Sequence, residues 1–190
     1  MESRVKLSDE KPKAITAMFN AENICKLIDN KKTLKKVLDG FANETLFYAS
    51  DGAWSAIDLL GALLLKLPEV TDIYISTFSI SEKAASNMQF IKENSSIKFH
   101  LLVDWKMKLK NPDVVIFLES ICDSFGFSDC HSKLTCLVSP GKNYTVLSSA
   151  NYTRNKRFES GVIVSDAKVS ELYVTQIKKL IKNGFQQGAH

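Results

Sequence analysis

The stretch CHSKLTCLVSPGKNYTVLSSANYTRNKRFESG, residues 130 to 161, sets an imidazole and an ammonium two residues apart at His131 and Lys133. A small-residue segment with an amide follows, Ser148-Ser149-Ala150-Asn151, then a basic cluster of Arg154, Lys156 and Arg157, then a carboxylate, Glu159. In this order the types suit the attack on a phosphodiester without a metal. The anionic oxygens of a diester repel a nucleophile, so the attack needs local positive charge and fixed hydrogen-bond donors. A histidine attacks phosphorus directly and holds it as a phosphohistidine, which divides one hard step into two. Lys133 supplies a point charge to the non-bridging oxygens, and Asn151 and Ser149 donate to the same oxygens. Glu159 holds the second imidazole nitrogen and so fixes the tautomer. Beside such a site, Arg154, Lys156 and Arg157 read as contacts to the phosphate backbone of a nucleic acid.

These groups meet only if the elements around them bring them together. His131 and Lys133 fall on an expected strand, where alternate side chains share one side. KLTCLVS and YTVLSSA, separated by PGKN, read as a hairpin that carries Ser148 to Asn151 back beside His131. Glu159 opens the next strand, SGVIVSD. Upstream, ETLFYAS and VTDIYISTFSI are β-rich, and SIKFHLLVDW is so nearly apolar that it is expected to be buried on both faces. The apolar spacing of Ile24, Leu27, Ile28, Leu34, Val37 and Leu38 predicts a helix over residues 15–38, closed by Gly40. A second helix is expected over 53–66, capped by Ser50 or Asp51 and stopped by Pro68. Others follow from Ser81 to near residue 94, from Pro112 to near Gly126, and over 167–183 up to Gly184. Strands that alternate with helices, followed by a hairpin, make an α/β sandwich with a mixed sheet.

The 190 residues divide into a polar arm over 1–13 and a single domain over 14–190. Hydrophobic residues at 45% with charged residues at 24% exclude a disordered chain, and a net charge of +4 permits a polyanionic partner without demanding one. No apolar signal core stands in the first twenty residues, and LLGALLLKL is far short of the ~20 residues that span a bilayer. With Cys25, Cys122, Cys130 and Cys136 forming no CxxC pair, the expectation is a cytoplasmic protein with reduced thiols and no membrane contact. Cys122, Cys130, His131 and Cys136 match no usual zinc spacing, so no metal is expected. His100 reads as a packing histidine, and Trp54, Phe78 and Trp105 as core, with Trp54, after Asp51-Gly52, also placed to line a groove. Lys106, Lys108 and Lys110 would share a side of an extended chain, most simply as a solvated face.

HSK, SSANYT and the Glu of FESGVIV resemble the phospholipase D-like superfamily, in the single-HKD-motif form of its nuclease-type members. The signature is His-x-Lys, four residues, an Asp, and later a Gly-Ser-x-x-Asn-like turn. Ser148 stands for the Gly, and Glu159 falls where those members carry a Glu before an apolar strand. DIYISTFSIS and IKFHLLVD are similar to the opening strands, so the resemblance runs over about residues 44–182. Two features depart from it: Val138 occupies the Asp position, and the interval from Asn151 to Glu159 is shorter. The resemblance implies an α/β/α sandwich with a mixed, mainly parallel sheet, and an endonuclease-type phosphodiesterase, a hydrolase that needs no cofactor. His131, Lys133, Asn151 and Glu159 would be catalytic, with Ser149, Arg154, Lys156 and Arg157 on the substrate's phosphates. DNA is the expected partner, extending to RNA. One motif supplies one histidine where the reaction needs a nucleophile and an acid, which implies a homodimer. Two rivals remain: a lipid phosphodiesterase of the same fold, and a nucleic-acid-binding or dimerisation module that has lost turnover.

Overall fold

The apolar runs line up side by side in one sheet. In chain order the strands are β1 (Ile24–Leu27), β2 (Thr45–Ser50), β3 (Asp72–Thr77), β4 (Lys98–Asp104), β5 (Ser124–Ser128), β6 (Lys133–Val138), β7 (Tyr144–Ser148) and β8 (Glu159–Val164). The helices are α1 (Ala56–Lys66), α2 (Glu82–Glu93), α3 (Met107–Lys110), α4 (Pro112–Ile121) and α5 (Ala167–Asn183). The structure, a computed structural model, describes residues 24–27, 34, 38, 45–50, 52, 54–153 and 157–184. The expected arm over 1–13 lies outside the described residues, as do Arg154 and Lys156.

The eight strands are ordered β1-β2-β8-β7-β6-β3-β4-β5. β1 with β2, β3 with β4 and β4 with β5 are parallel, and β2–β8, β8–β7, β7–β6 and β6–β3 are antiparallel. Only β6 and β8 therefore run against the others, and the sheet is mixed with a dominant direction. Ile73 and Ile75 of β3 turn to one face, where Leu59, Leu60 and Leu63 of α1, Ala85 and Met88 of α2 and Leu118 of α4 close a core. Leu34 and Leu38, both helical and buried, join that core. Tyr74 turns to the other face, where Leu102, Leu134, Cys136 and Ile177 of α5 pack. Each Leu, Ile or Met side chain among them, taken fully out of water, contributes roughly 1.5–3 kcal/mol. The result is helix, sheet, helix in three layers.

Local signals explain most boundaries. Ser81 caps α2 by accepting from Ala84 N–H at 3.3 Å, and Asp166 caps α5 by accepting from Val169 N–H at 2.9 Å. The turn between β6 and β7 contains Gly141 at φ 82°, and Asn143 Oδ1 accepts from Ser139 N–H at 3.1 Å.

Three expectations are corrected. Residues 24–27 are a strand, not part of a helix: β2 offers an open edge, and parallel pairing from Ile24 opposite Leu46 to Leu27 opposite Ala49 outweighs the local helical spacing. The cap of α1 is Ser55, not Ser50 or Asp51, because Asp58 accepts from both Ser55 N–H (2.9 Å) and Ser55 Oγ (2.8 Å). The helix from Pro112 stops at Ile121, and 124–128 become edge strand β5 beside β4. Gly126 is what permits this, since a Cβ there would stand 2.9 Å from Ile181 Cα of α5. Among the described residues, no helix is long and apolar enough to cross a membrane.

Candidate active site

Strand direction gathers the polar groups. β2, β3, β4, β5 and β7 finish, and β6 and β8 begin, at the same end of the sheet. Along that end Ser50 stands opposite Glu159, Ser148 opposite Gly161, Thr77 opposite Lys133 and Asp104 opposite Ser128.

His131 lies two residues ahead of β6, not on the strand as its spacing suggests. The reason is a set of contacts that competes with the β-ladder. Asp104, 1% exposed, accepts from Cys130 N–H at 3.1 Å, while Cys130 Sγ lies 3.1 Å from both Ser76 Oγ and Ser132 Oγ. The loop held in this way presents His131 to solvent. Lys133 still reaches it: Nζ is 3.4 Å from both Nδ1 and Nε2 and donates to the His131 carbonyl oxygen at 2.7 Å. The Phe78 ring lies against both, 5.5 Å from the imidazole centroid and 5.9 Å from Lys133 Nζ.

Asn151 arrives from the other side of β6. Thr77 Oγ1 donates to Asn151 Oδ1 at 3.3 Å, which leaves the amide NH2 as the end that donates. The turn around it is tied to the loop after β3 by Tyr152 N–H to Ser79 O (3.2 Å) and Ser81 N–H to Tyr152 O (3.0 Å). Ser149 Oγ accepts from Ser160 N–H at 3.0 Å and donates in a short bond to Glu159 Oε2. The structure thus brings Glu159 to Ser149 and engages the Ser149 proton with that carboxylate, where the sequence reading has Glu159 on the imidazole and Ser149 on a phosphate. Tyr48, buried beneath this pair, has its phenol pushed up to about 12: burial is the main cause, the Ser148 hydrogen bond opposes it and the Glu159 charge adds to it. An open groove of about 630 Å³ is lined by His131, Lys133, Ser148 and Ser149, with Tyr173 and Ile177 of α5 facing them. Arg157 is exposed just ahead of β8.

No family model matches the sequence, and no curated protein does. Solved structures do match. A phospholipase D family member, Nuc, from Salmonella typhimurium superposes with a TM-score of 0.51 at 13% identity, covering 73% of this chain and 93% of that one. The chain has the phospholipase D-like fold. NucT from Helicobacter pylori matches at TM-score 0.53 and 14% identity, over 65% of this chain and 87% of that one. Polyphosphate kinase from Porphyromonas gingivalis matches at 0.59 and 12% over 82% of this chain, which spans 30% of the kinase.

Within the phospholipase D-like fold, the departure at Val138 falls away from His131 and Lys133. Val138 ends β6 opposite Asp72, five residues and about 17 Å of extended chain beyond Lys133. His100 belongs to that far end and is a satisfied packing histidine. Its Nδ1 lies 2.8 Å from Ser124 Oγ, its Nε2 2.9 Å from Asp72 Oδ1, and its ring stacks on Tyr74 at 4.2 Å. Burial pushes the Asp72 carboxyl up, but hydrogen bonds from His100 and Thr71 and the nearby charges outweigh it and hold the group below its usual range. The cysteines are dispersed: burial pushes the Cys122 thiol up to about 12 and that of Cys136 up to about 11. Among the described residues, no cluster of three or more His, Cys, Asp or Glu is placed to hold a metal.

Sequence reasoning missed Asp104 at this end, and it read Phe78 as core and Lys110 as part of a solvated face. Residues 107–110 are helical, so Lys106, Lys108 and Lys110 diverge instead of sharing a side. Lys106 Nζ sits 5.7 Å from the Trp105 ring centroid, Lys108 Nζ 4.2 Å from that of Phe127 and Lys110 Nζ 5.4 Å from that of Phe78. Phe78 and Asp104 had a visible signal, since each ends an apolar strand where the chain turns. Lys110 had none.

Proposed function

We propose that the chain is a metal-independent phosphodiesterase that cleaves nucleic acid, DNA foremost, through a phosphohistidine at His131. A ring nitrogen of His131 attacks phosphorus, an N–P bond forms and the P–O bond to the departing oxygen breaks, that oxygen taking a proton from an acid. Water then attacks the phosphohistidine and returns the free imidazole. Lys133 and the Asn151 amide hold the non-bridging oxygens, with Arg157, Arg154 and Lys156 along the strand. Glu159 acts through Ser149, whose hydroxyl donates to it beside the site. The acid in the first step is the histidine of a second copy, because His100, the other histidine described, has both ring nitrogens engaged at the far end. The active unit is then a homodimer.

The observation that carries this reading is the Lys133 ammonium 3.4 Å from both ring nitrogens of an exposed histidine. That arrangement suits a group that meets an anion and suits a buried structural role poorly. One specific contact favours a second reading, a nucleic-acid-binding module without turnover: the Glu159 carboxylate meets Ser149, not the imidazole. Cleavage of a generic DNA in EDTA decides between them. His131→Ala and His131→Asn are each expected to abolish turnover while binding persists, because the basic residues that dominate affinity remain. Binding without cleavage by the wild type would establish the second reading. Equal cleavage by His131→Ala, or arrest by EDTA, would refute the phosphohistidine.

A further inference from the structure

Lys110 comes from a different part of the chain yet reaches the ring shared by His131 and Lys133. Its Nζ lies 5.4 Å from the Phe78 centroid, against 5.5 Å for the imidazole and 5.9 Å for Lys133 Nζ. Two ammonium groups drawn to one small aromatic ring repel each other. The negative face of the ring offsets part of that repulsion, and a bound anion would remove the rest.

The juxtaposition is built into the backbone. Asp104 accepts from Lys106 N–H at 3.0 Å through Oδ1, which starts the turn into α3, and from Cys130 N–H at 3.1 Å through Oδ2, one residue before His131. A single buried carboxylate therefore sets the approach of both segments. Met107, 2% exposed, pins α3 to the core, and Lys110 N–H closes the short helix on Lys106 O at 3.1 Å. The Lys110 side chain itself is exposed.

Lys133 already occupies the place beside the imidazole nitrogens, so Lys110 is left for a charge further along the substrate. We propose that Lys110 contacts the phosphate next to the scissile one, so that the site takes at least two consecutive phosphates of a nucleic-acid strand. The inference rests on the phosphodiesterase reading of His131 and adds to it the span of the site: two consecutive phosphates of one strand in preference to an isolated diester.

The test compares wild type, Lys110→Ala and Lys110→Arg in the full chain on two substrates, a short single-stranded oligonucleotide and bis(p-nitrophenyl) phosphate, which has one phosphate. Lys110→Ala is expected to lower kcat/KM on the oligonucleotide by about tenfold at low salt, through KM. It should leave the aryl diester within about twofold, and Lys110→Arg should restore the oligonucleotide rate. An equal loss on both substrates, or no loss on either, overturns the proposal. If the wild type cleaves neither substrate, the phosphodiesterase reading fails and oligonucleotide binding decides the fate of Lys110. The slope of log affinity on log salt should then fall by about 0.7 in Lys110→Ala. An unchanged slope refutes the contact.

Discussion

Gly161→Ala places a methyl group where the sheet has no space for one. Gly161 stands opposite Tyr48 of β2 and Ser148 of β7. A Cβ there would lie 2.5 Å from the Leu147 carbonyl oxygen and 2.5 Å from Tyr48 Cζ, with Tyr48 Oη closer still. Ordinary non-bonded contacts lie at roughly 3.5–4.0 Å, so the atoms must part by about 1 Å. The Leu147 oxygen belongs to the backbone of a central strand. Tyr48 is 4% exposed, with its ring 5.2 Å from that of Trp54, so neither group can swing into solvent. Overpacking of this kind costs about 1–3 kcal/mol, and the upper end applies where the obstacle is backbone. The better strand propensity of Ala recovers about 0.5–1 kcal/mol at most. A net loss of about 2–2.5 kcal/mol lowers Tm by roughly 4–10 °C in a domain of this size. Thermal unfolding followed by circular dichroism reads it directly. Because Ser160 exchanges backbone and side-chain hydrogen bonds with Ser149, the displacement should also reach the Ser149–Glu159 pair and reduce turnover in the molecules that remain folded. A Tm within 2 °C of wild type would refute the close approach of β8 to Tyr48.

Three further outcomes are expected. Tyr48 keeps its proton to about pH 12 when folded but loses it near 10 when unfolded, so the stability it contributes is full below pH 10 and is lost between 10 and 12, up to about 3 kcal/mol. Urea midpoints across that window should fall less steeply in Tyr48→Phe, and an identical slope would place the loss elsewhere. Val138→Asp supplies the Asp of the motif the sequence resembles but sets a carboxylate opposite Asp72, so it should cost about 1 kcal/mol or more without raising any cleavage of DNA; faster cleavage than wild type would contradict the distance argument. Arg157→Ala should flatten the salt dependence of duplex DNA binding by about 0.9 on a log–log plot, and an unchanged slope returns Arg157 to solvated surface.

How far the sequence was legible follows from the range of the interactions. α5 was read with its bounds intact because seventeen residues of amphipathic spacing end at a glycine, all of it local. β3, β4 and the β6–β7 hairpin were read for the same reason. β1 was not, because Ile24, Leu27 and Ile28 have a spacing that also suits a helix, and the deciding partner lies in β2. In β5 the Phe125-Gly126-Phe127 alternation was present, but the helix begun at Pro112 was carried over it. The order of His131, Lys133, Asn151 and Glu159 pointed to one end of the sheet, which is where they stand. The fine geometry was hidden. His131 is displaced from β6 by contacts between Cys130 and residues 26 and 54 positions earlier, and Glu159 turns to Ser149 through a bond no spacing reveals.

Cys130 turns the site into its own reporter. Its sulfur is enclosed by Ser76 and Ser132, one residue before His131, and only 7% of the residue is exposed. A thiol reagent reaches it when that loop opens and not otherwise. Cys136, fully buried at the middle of β6, waits for a much larger disruption of the sheet. The two labelling rates, followed in one sample, therefore form a pair of clocks: one times the excursions of the residue expected to act as nucleophile, the other those of the scaffold beneath it.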